Sequence, residues 1–384
     1  MNSRRTRLGS AFGVILTVLV LVPTGVFFAR VWQDNSDRHD STQLERQGVE
    51  YLGALNPLLS SLAEYQSSAL QGVPEQPDTL KPAIARVSEV DSRLGDSLNT
   101  KDRWAGLQDK INKLAKPADG GALNIYEQHS EVTDLMLALY GTIRRNAHLN
   151  RDPDNDVSNL QEASAIDMPT TIVLVSRMGD LANILQNTSG ASARANVGVQ
   201  FGESVLAVQA QVNSLTDNLQ AAVDDTKSPT LSGNLVSTLD AFRRGVESMI
   251  RGANPGGNPN VATMSTAQSS LQTALNSLSG VTLKEMDGLL SDRASNVTYR
   301  RTEAIVLGLV AIGLVLLALI WPTLGRRREP APVAPLRPTG EPGRDVAMTM
   351  PTGGPVYGNN PYDQGPQYGG PVDPTQRERS GAIR

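Results

Sequence analysis

A chain of 384 residues is long enough for a large folded region with extensions, and its net charge of −4 does not favour nucleic acid as a partner. The chain contains no cysteine, which excludes disulfide bonds, thiolate metal ligands and cysteine nucleophiles. Aromatic residues make up only 4% of it, which favours narrow helical bundles over β-sandwiches rich in aromatic and β-branched side chains.

Two long uncharged apolar segments frame the chain. Residues 10–29 follow three arginines, and residues 304–324 are followed closely by Arg326–Arg328. A helix of about 20 apolar residues crosses a bilayer, and flanking arginines stay on the cytoplasmic side. The sequence therefore predicts two transmembrane helices in a multi-pass protein of the plasma membrane, with residues 1–9 and the C-terminus both in the cytoplasm.

The first apolar segment can also be interpreted as a cleaved signal peptide. Cleavage requires small residues just after the apolar run, but Phe27 and Phe28 precede Ala29. An uncleaved anchor is therefore favoured, and residues 30–303 are predicted to be an extracytoplasmic, sensor-like domain.

Residues 30–303 show the periodicity of α-helices. Apolar residues recur at steps of three and four, and no stretch shows the sustained alternation typical of a strand. The longest row is Phe201, Val205, Val208, Val212, Leu215, Leu219 and Ala222. The predicted helices are 30–71, 79–99, 101–116, 122–149, 158–188, 192–227, 230–252 and 260–324.

This pattern predicts an all-α fold in which the first and last helices continue into the membrane spans. Their soluble portions, at about 1.5 Å per residue, rise roughly 60 Å. That height exceeds one compact four-helix bundle, so we expect two stacked bundles that share the two long helices. Residues 325–384 are rich in proline and glycine and have no apolar row, so they are predicted to be a disordered cytoplasmic tail.

Three groups of residues, in order along the chain, resemble periplasmic helical sensor domains of bacterial methyl-accepting chemotaxis receptors and related membrane signalling proteins. These groups are Leu44–Leu52 with Asn56–Leu59, Asp91–Gly95 with Thr100–Trp104, and Ile143–Arg145 with Asp152–Asp156. The resemblance implies an all-helical sensor of small molecules or partner proteins. Such receptors continue after the second span into a long signalling coiled coil. Here Pro330, Pro332 and Pro335 prevent a continuous helix, so no output domain is predicted.

Arg144 and Arg145 are the candidate ligand-binding residues, because an arginine that faces a bundle cavity can bind a carboxylate or a nitrate-like anion with two parallel hydrogen bonds. The alternative for both is a solvated helix face. Histidines 39, 129 and 148 lack the spacing of a metal site. The acidic triplet 152–156 lacks the glycine and glutamate of a calcium loop, which favours a solvated turn that caps the next helix.

No phosphate-binding loop, nucleophile elbow or dinucleotide fingerprint occurs, so the sequence predicts neither an enzyme nor a cofactor. We expect a receptor-like protein that binds a small molecule or a partner and signals through a separate cytoplasmic protein recruited by residues 325–384. The alternative is a structural scaffold of the cell envelope. The other expected partners are the lipid bilayer and a second copy of the chain.

Overall fold

A computed structural model describes residues 3–73, 75–114, 121–150, 152–226, 228–254 and 258–324, with side chains of helix residues 3–18, 20 and 318–324 outside the described part. The chain divides into two units, Met1–Pro322 and Thr323–Arg384. The features described below belong to the first unit, apart from the last two residues of α9. The predicted disordered tail, residues 325–384, lies outside the described residues.

The described residues are helical almost throughout and contain no strand, which confirms the all-α prediction. The helices are α1 (Ser3–Leu70), α2 (Leu80–Leu94), α3 (Lys101–Asn112), α4 (Ala122–Asn146), α5 (Asn155–Glu162), α6 (Met168–Asn187), α7 (Ala191–Asp225), α8 (Leu231–Ala253) and α9 (Val261–Leu324). A one-turn π-helix, Ala163–Asp167, joins α5 to α6. The single helix predicted for residues 158–188 is therefore interrupted.

The apolar rows of the sequence form one continuous core. Six of the seven residues in the α7 row are buried, and Val212 is half-buried. The largest fully buried side chains include Tyr51, Tyr65 and Phe242. At about 25 cal/mol per Å² of apolar surface, this burial is the main stabilising contribution to the fold.

The two long helices, α1 and α9, lie antiparallel and in contact. Arg46 of α1 bonds to Asp287 of α9, and farther along α1 Ser67 accepts a hydrogen bond from Gln268, earlier in α9. Helices α2, α4 and α6 pack against α1, and α7 packs against α5 and α6.

The helices lie side by side rather than in two stacked bundles. Helix α8 runs along the same stretch of α9 that pairs with α1, because Asn234 near its start bonds to Glu285 and Gly252 near its end contacts Met264. The stacking prediction is therefore wrong. The short turn after α6 brings α7 back alongside it, and α9 lies alongside α8, so the helices become neighbours and the bundle does not grow in height.

No helix among the described residues has a stretch long and apolar enough to cross a membrane. This finding overturns the predicted spans 10–29 and 304–324, and with them the predicted location in the plasma membrane with both termini in the cytoplasm.

Candidate functional site

A polar cleft of about 1120 Å³ lies between α1, α6 and α9. It is at the end of the unit where α1 and α6 finish and α9 begins. Its described lining is dominated by hydroxyl and amide side chains. These include Ser60, Ser67 and Ser68 of α1, Asn183 and Gln186 of α6, Asn258 and Asn260 just before α9, and Gln268, Gln272 and Asn276 of α9.

The cleft forms because each of the three helices carries a polar stripe beside its apolar row. On α9, Gln268, Gln272 and Asn276 follow one another at steps of four and so lie on one face. On α6, Asp180 and Asn183 are three residues apart and share a face in the same way. The apolar rows seal the core behind these stripes, which leaves the stripes to line a common space.

Asp180 lines the cleft where the three helices meet and is only 3% exposed. Ser67 of α1 donates a hydrogen bond of 2.7 Å from Oγ to Asp180 Oδ1, and Gln268 of α9 donates one of 3.2 Å from Nε2 to Ser67 Oγ. Burial raises the pKa of Asp180 to about 7, and hydrogen bonds from Ser67, Ser176 and Gln66 oppose that rise. The three opposing partners are all neutral, so the hydrogen bonds satisfy the carboxyl group without balancing its charge.

Gly179 allows Gln268 to reach this relay. A Cβ at position 179 would lie 2.0 Å from Oε1 of Gln268, so only glycine accommodates the amide in its present place. One turn farther along α9, Nε2 of Gln272 is buried without a hydrogen-bond partner in the described part of the chain. The cleft therefore contains a donor that a bound molecule can satisfy.

The cleft is acidic. Asp180 and Glu64 are the ionisable side chains among the lining residues that the structure describes, and no lysine, arginine or histidine is among them. Glu64 is exposed, whereas Asp180 is buried.

The sequence-predicted ligand residues lie elsewhere. Arg144 and Arg145 are in the last turn of α4 and do not line the cleft. Arg144 pairs with Glu162 of α5, while Arg145 is exposed and donates to Oγ1 of Thr142 at 3.3 Å. Nε of Arg144 is buried without a hydrogen-bond partner among the described residues, and a ligand role for the two arginines stays a prediction.

A buried ionic cluster around Arg293 of α9 was not predicted. Arg293 binds Asp152 through two parallel hydrogen bonds of 2.7 Å, Asp154 through one of 2.7 Å and Glu45 of α1 through one of 3.2 Å. The acidic triplet is therefore not a simple solvated turn, since the Asp152 side chain is fully buried and Asp156 is 8% exposed. Burial, followed by repulsion from Asp152, raises the pKa of Glu45 to about 7.

The described residues contain no group of histidine, cysteine, aspartate and glutamate that could hold a metal ion. His129 is buried edge-on against the ring of Tyr65, 4.9 Å between ring centroids, and burial lowers its pKa to about 4. It packs as a neutral core residue. His148 bonds to Ser41 at the opposite end of the unit from the cleft.

No protein-family model, curated protein or solved structure matches the chain.

Proposed function

We propose that this chain is a receptor-like protein that binds a small polar molecule in the cleft between α1, α6 and α9. The observation that carries the proposal is a cleft of about 1120 Å³ with amide and hydroxyl groups from three helices around a buried carboxyl group. Its volume is on the scale of small-molecule sites, which are roughly 300–1,000 Å³. Surfaces that only pack helices together are mainly apolar, so a polar cleft between three helices favours a binding function.

The contacts of the cleft supply a route for the signal. The Gln268–Ser67–Asp180 relay joins the three helices, and Ser60 of α1 bonds to Asn276 of α9 at 2.7 Å. A ligand that takes over these hydrogen bonds changes how α1 and α9 are held together. A ligand shifts a conformational equilibrium only as far as it binds the two states differently, and these shared groups provide such a difference. The output is a separate protein recruited by residues 325–384.

The structural scaffold remains the second candidate, and one observation favours it. Helices α1 and α9 are joined at several levels, including Arg46 with Asp287 and Arg301 stacked 4.4 Å from the Trp32 ring centroid. A pair fastened along its length suits a rigid spacer. The polar cleft distinguishes the two functions, because a spacer does not respond to a small molecule.

Thermal unfolding of the full chain with a library of neutral, cationic and anionic polar metabolites tests the receptor function. We expect at least one saturable rise in the midpoint, because a ligand that binds only the folded state stabilises it. Replacing both cleft amides, Asn183→Ala with Gln272→Ala, should abolish the rise. The control Gln220→Ala, on the exposed face of α7, should retain it. A library without any saturable rise would refute the receptor function and favour the scaffold.

A further inference from the structure

The charges of the cleft indicate what kind of molecule it binds. We infer that the ligand is a hydroxylated organic cation, an amino-polyol type of molecule, whose ammonium group pairs with the carboxylate of Asp180. This inference rests on the proposed function and narrows it to one chemical class.

The sign of the charge in the cleft favours a cation. Two carboxyl groups, Asp180 and Glu64, line the cleft, and the described lining residues provide no cation. An anionic ligand would enter a partly desolvated space that already holds negative charge, and repulsion is stronger there than in water. The cleft therefore disfavours carboxylates and nitrate-like anions and favours cations.

The burial of Asp180 also favours a cationic ligand. A buried carboxylate is costly unless an opposite charge compensates it. Its opposing hydrogen-bond partners, Ser67, Ser176 and Gln66, are neutral. Arg177, three residues earlier on α6, is directed to α4, where it bonds to Asp134 at 2.7 Å and to Thr133 at 2.8 Å. An ammonium group in the cleft supplies the countercharge that these residues do not give.

The hydrogen-bond acceptors of the cleft suit an ammonium group. An ammonium group has three donors and no acceptor, so it requires several oxygens. Beside the Asp180 carboxylate, the lining supplies hydroxyl oxygens, including those of Ser68 and Ser269. The surrounding serine and asparagine side chains both donate and accept, which matches the hydroxyls of a polyol.

Binding of a cation should depend on the ionisation of Asp180. The charged and titratable groups near it are Glu64 of α1, Tyr126 of α4 and Arg177 of α6, while α9 presents neutral amides. Since the pKa of Asp180 is raised to about 7, the carboxylate form is scarce below that pH. Affinity for a cation should therefore rise about tenfold per pH unit from pH 5 toward pH 7 and level off above it.

Titration calorimetry of the full chain at pH 8 with three probes of equal carbon number tests the inference. The probes are the cation 1-amino-1-deoxysorbitol, neutral sorbitol and anionic gluconate. We expect the amine to bind at least tenfold more tightly than sorbitol and gluconate to give no saturable heat. Asp180→Asn should remove the preference for the amine. The control Glu203→Gln, at an exposed position on α7 outside the cleft, should change it less than threefold.

Sorbitol or gluconate binding as tightly as the amine would overturn the inference and leave the proposed function intact. A preference that survives in Asp180→Asn would also overturn it, and so would the absence of binding by all three probes. Thermal unfolding with the metabolite library tests the proposed function independently of these probes. If Asp180→Asn does not fold, the pH dependence of amine binding to the unaltered chain decides, and an affinity that is flat between pH 5 and pH 8 would overturn the inference.

Discussion

Glu45→Gln is expected to stabilise the protein at pH 8 and to have little effect at pH 5. Glu45 is 4% exposed, and burial together with Asp152 raises its pKa from 4.5 to about 7. A group whose pKa is higher in the folded state stabilises the fold below its unfolded pKa, and this contribution is lost as pH rises through the folded pKa. At pH 8 the buried carboxylate of Glu45 therefore destabilises the folded state, and the neutral amide of glutamine removes this destabilisation.

The magnitude follows from the two pKa values. The difference between 4.5 and about 7 corresponds to about 3 kcal/mol, and residual solvation of the cluster reduces this to about 2 kcal/mol. Arg293 retains its two bonds to Asp152 in the variant, so the cluster keeps its main ion pair.

Urea denaturation of the full chain at pH 5 and pH 8 measures this effect. Glu203→Gln, at an exposed position on α7, is the control and should change the free energy of unfolding by less than about 0.5 kcal/mol at either pH. Equal stabilisation by Glu45→Gln at both pH values, or a loss of stability at pH 8, would refute the assignment of the raised pKa to burial.

Three further substitutions test the core, the ionic cluster and the relay. Arg293→Met should lower the free energy of unfolding by about 3–5 kcal/mol at pH 8, and by less at pH 5, because it leaves buried carboxylates without a countercharge. Phe242→Ala should cost about 3–5 kcal/mol in the same assay, whereas Val236→Ala, 60% exposed, should cost under about 1 kcal/mol. Gly179→Ala should change stability by under about 1 kcal/mol, since the Gln268 amide can swing aside, but it should weaken amine binding. Unchanged amine affinity in that variant would exclude Gln268 from the site.

The helices were predictable because their signal is local. Apolar residues at steps of three and four predicted the helical segments, and the observed ends Asn187 and Ala253 differ from the predicted ends by one residue. The helix predicted for 79–99 ends five residues early, at Leu94, and the one predicted for 158–188 is divided into α5 and α6. Helix α3 begins at Lys101 as predicted, and the hydroxyl of Thr100 just before it donates to Asp91 at 2.6 Å instead of capping the helix. The start of the helix depends on the local sequence, whereas the pairing of Thr100 with the buried Asp91 depends on tertiary packing.

The features that the sequence missed depend on residues far apart in the chain. Arg293 and Glu45 are 248 positions apart in the chain, and no local sequence pattern around either residue predicts that they pair. The spacing of apolar residues does not predict the π-helix either. Its Asp167 accepts hydrogen bonds from Gln211, Ser214 and Asn218 of α7. Because those three polar residues lie at steps of three and four, they share one face of α7, and this spacing could have predicted a polar group packed against that face. The polar stripes that line the cleft were another such signal.

The two ends of the α1–α9 pair are held by contacts of different strength. Near the cleft, neutral hydrogen bonds such as Ser60 to Asn276 join the helices, and each is worth about 1 kcal/mol. At the other end, charged pairs join the two helices, Glu45 of α1 with Arg293 and Arg46 of α1 with Asp287, and hydrogen bonds to charged groups are roughly twice as strong. A ligand that competes for the neutral groups can therefore move the helices apart at the cleft while the ionic end stays fixed.

This difference predicts where the protein moves on ligand binding. Because the chain has no cysteine, pairs of introduced cysteines can carry spin labels without background labelling. Labels at Gln71 and Ser270 report on the cleft end, and labels at Asp40 and Asn296 report on the ionic end as the control. Saturating 1-amino-1-deoxysorbitol should change the distance distribution of the first pair and leave the second unchanged. If the amine binds and neither distance changes, the α1–α9 pair is a rigid support, and the ligand site does not drive a signal through it.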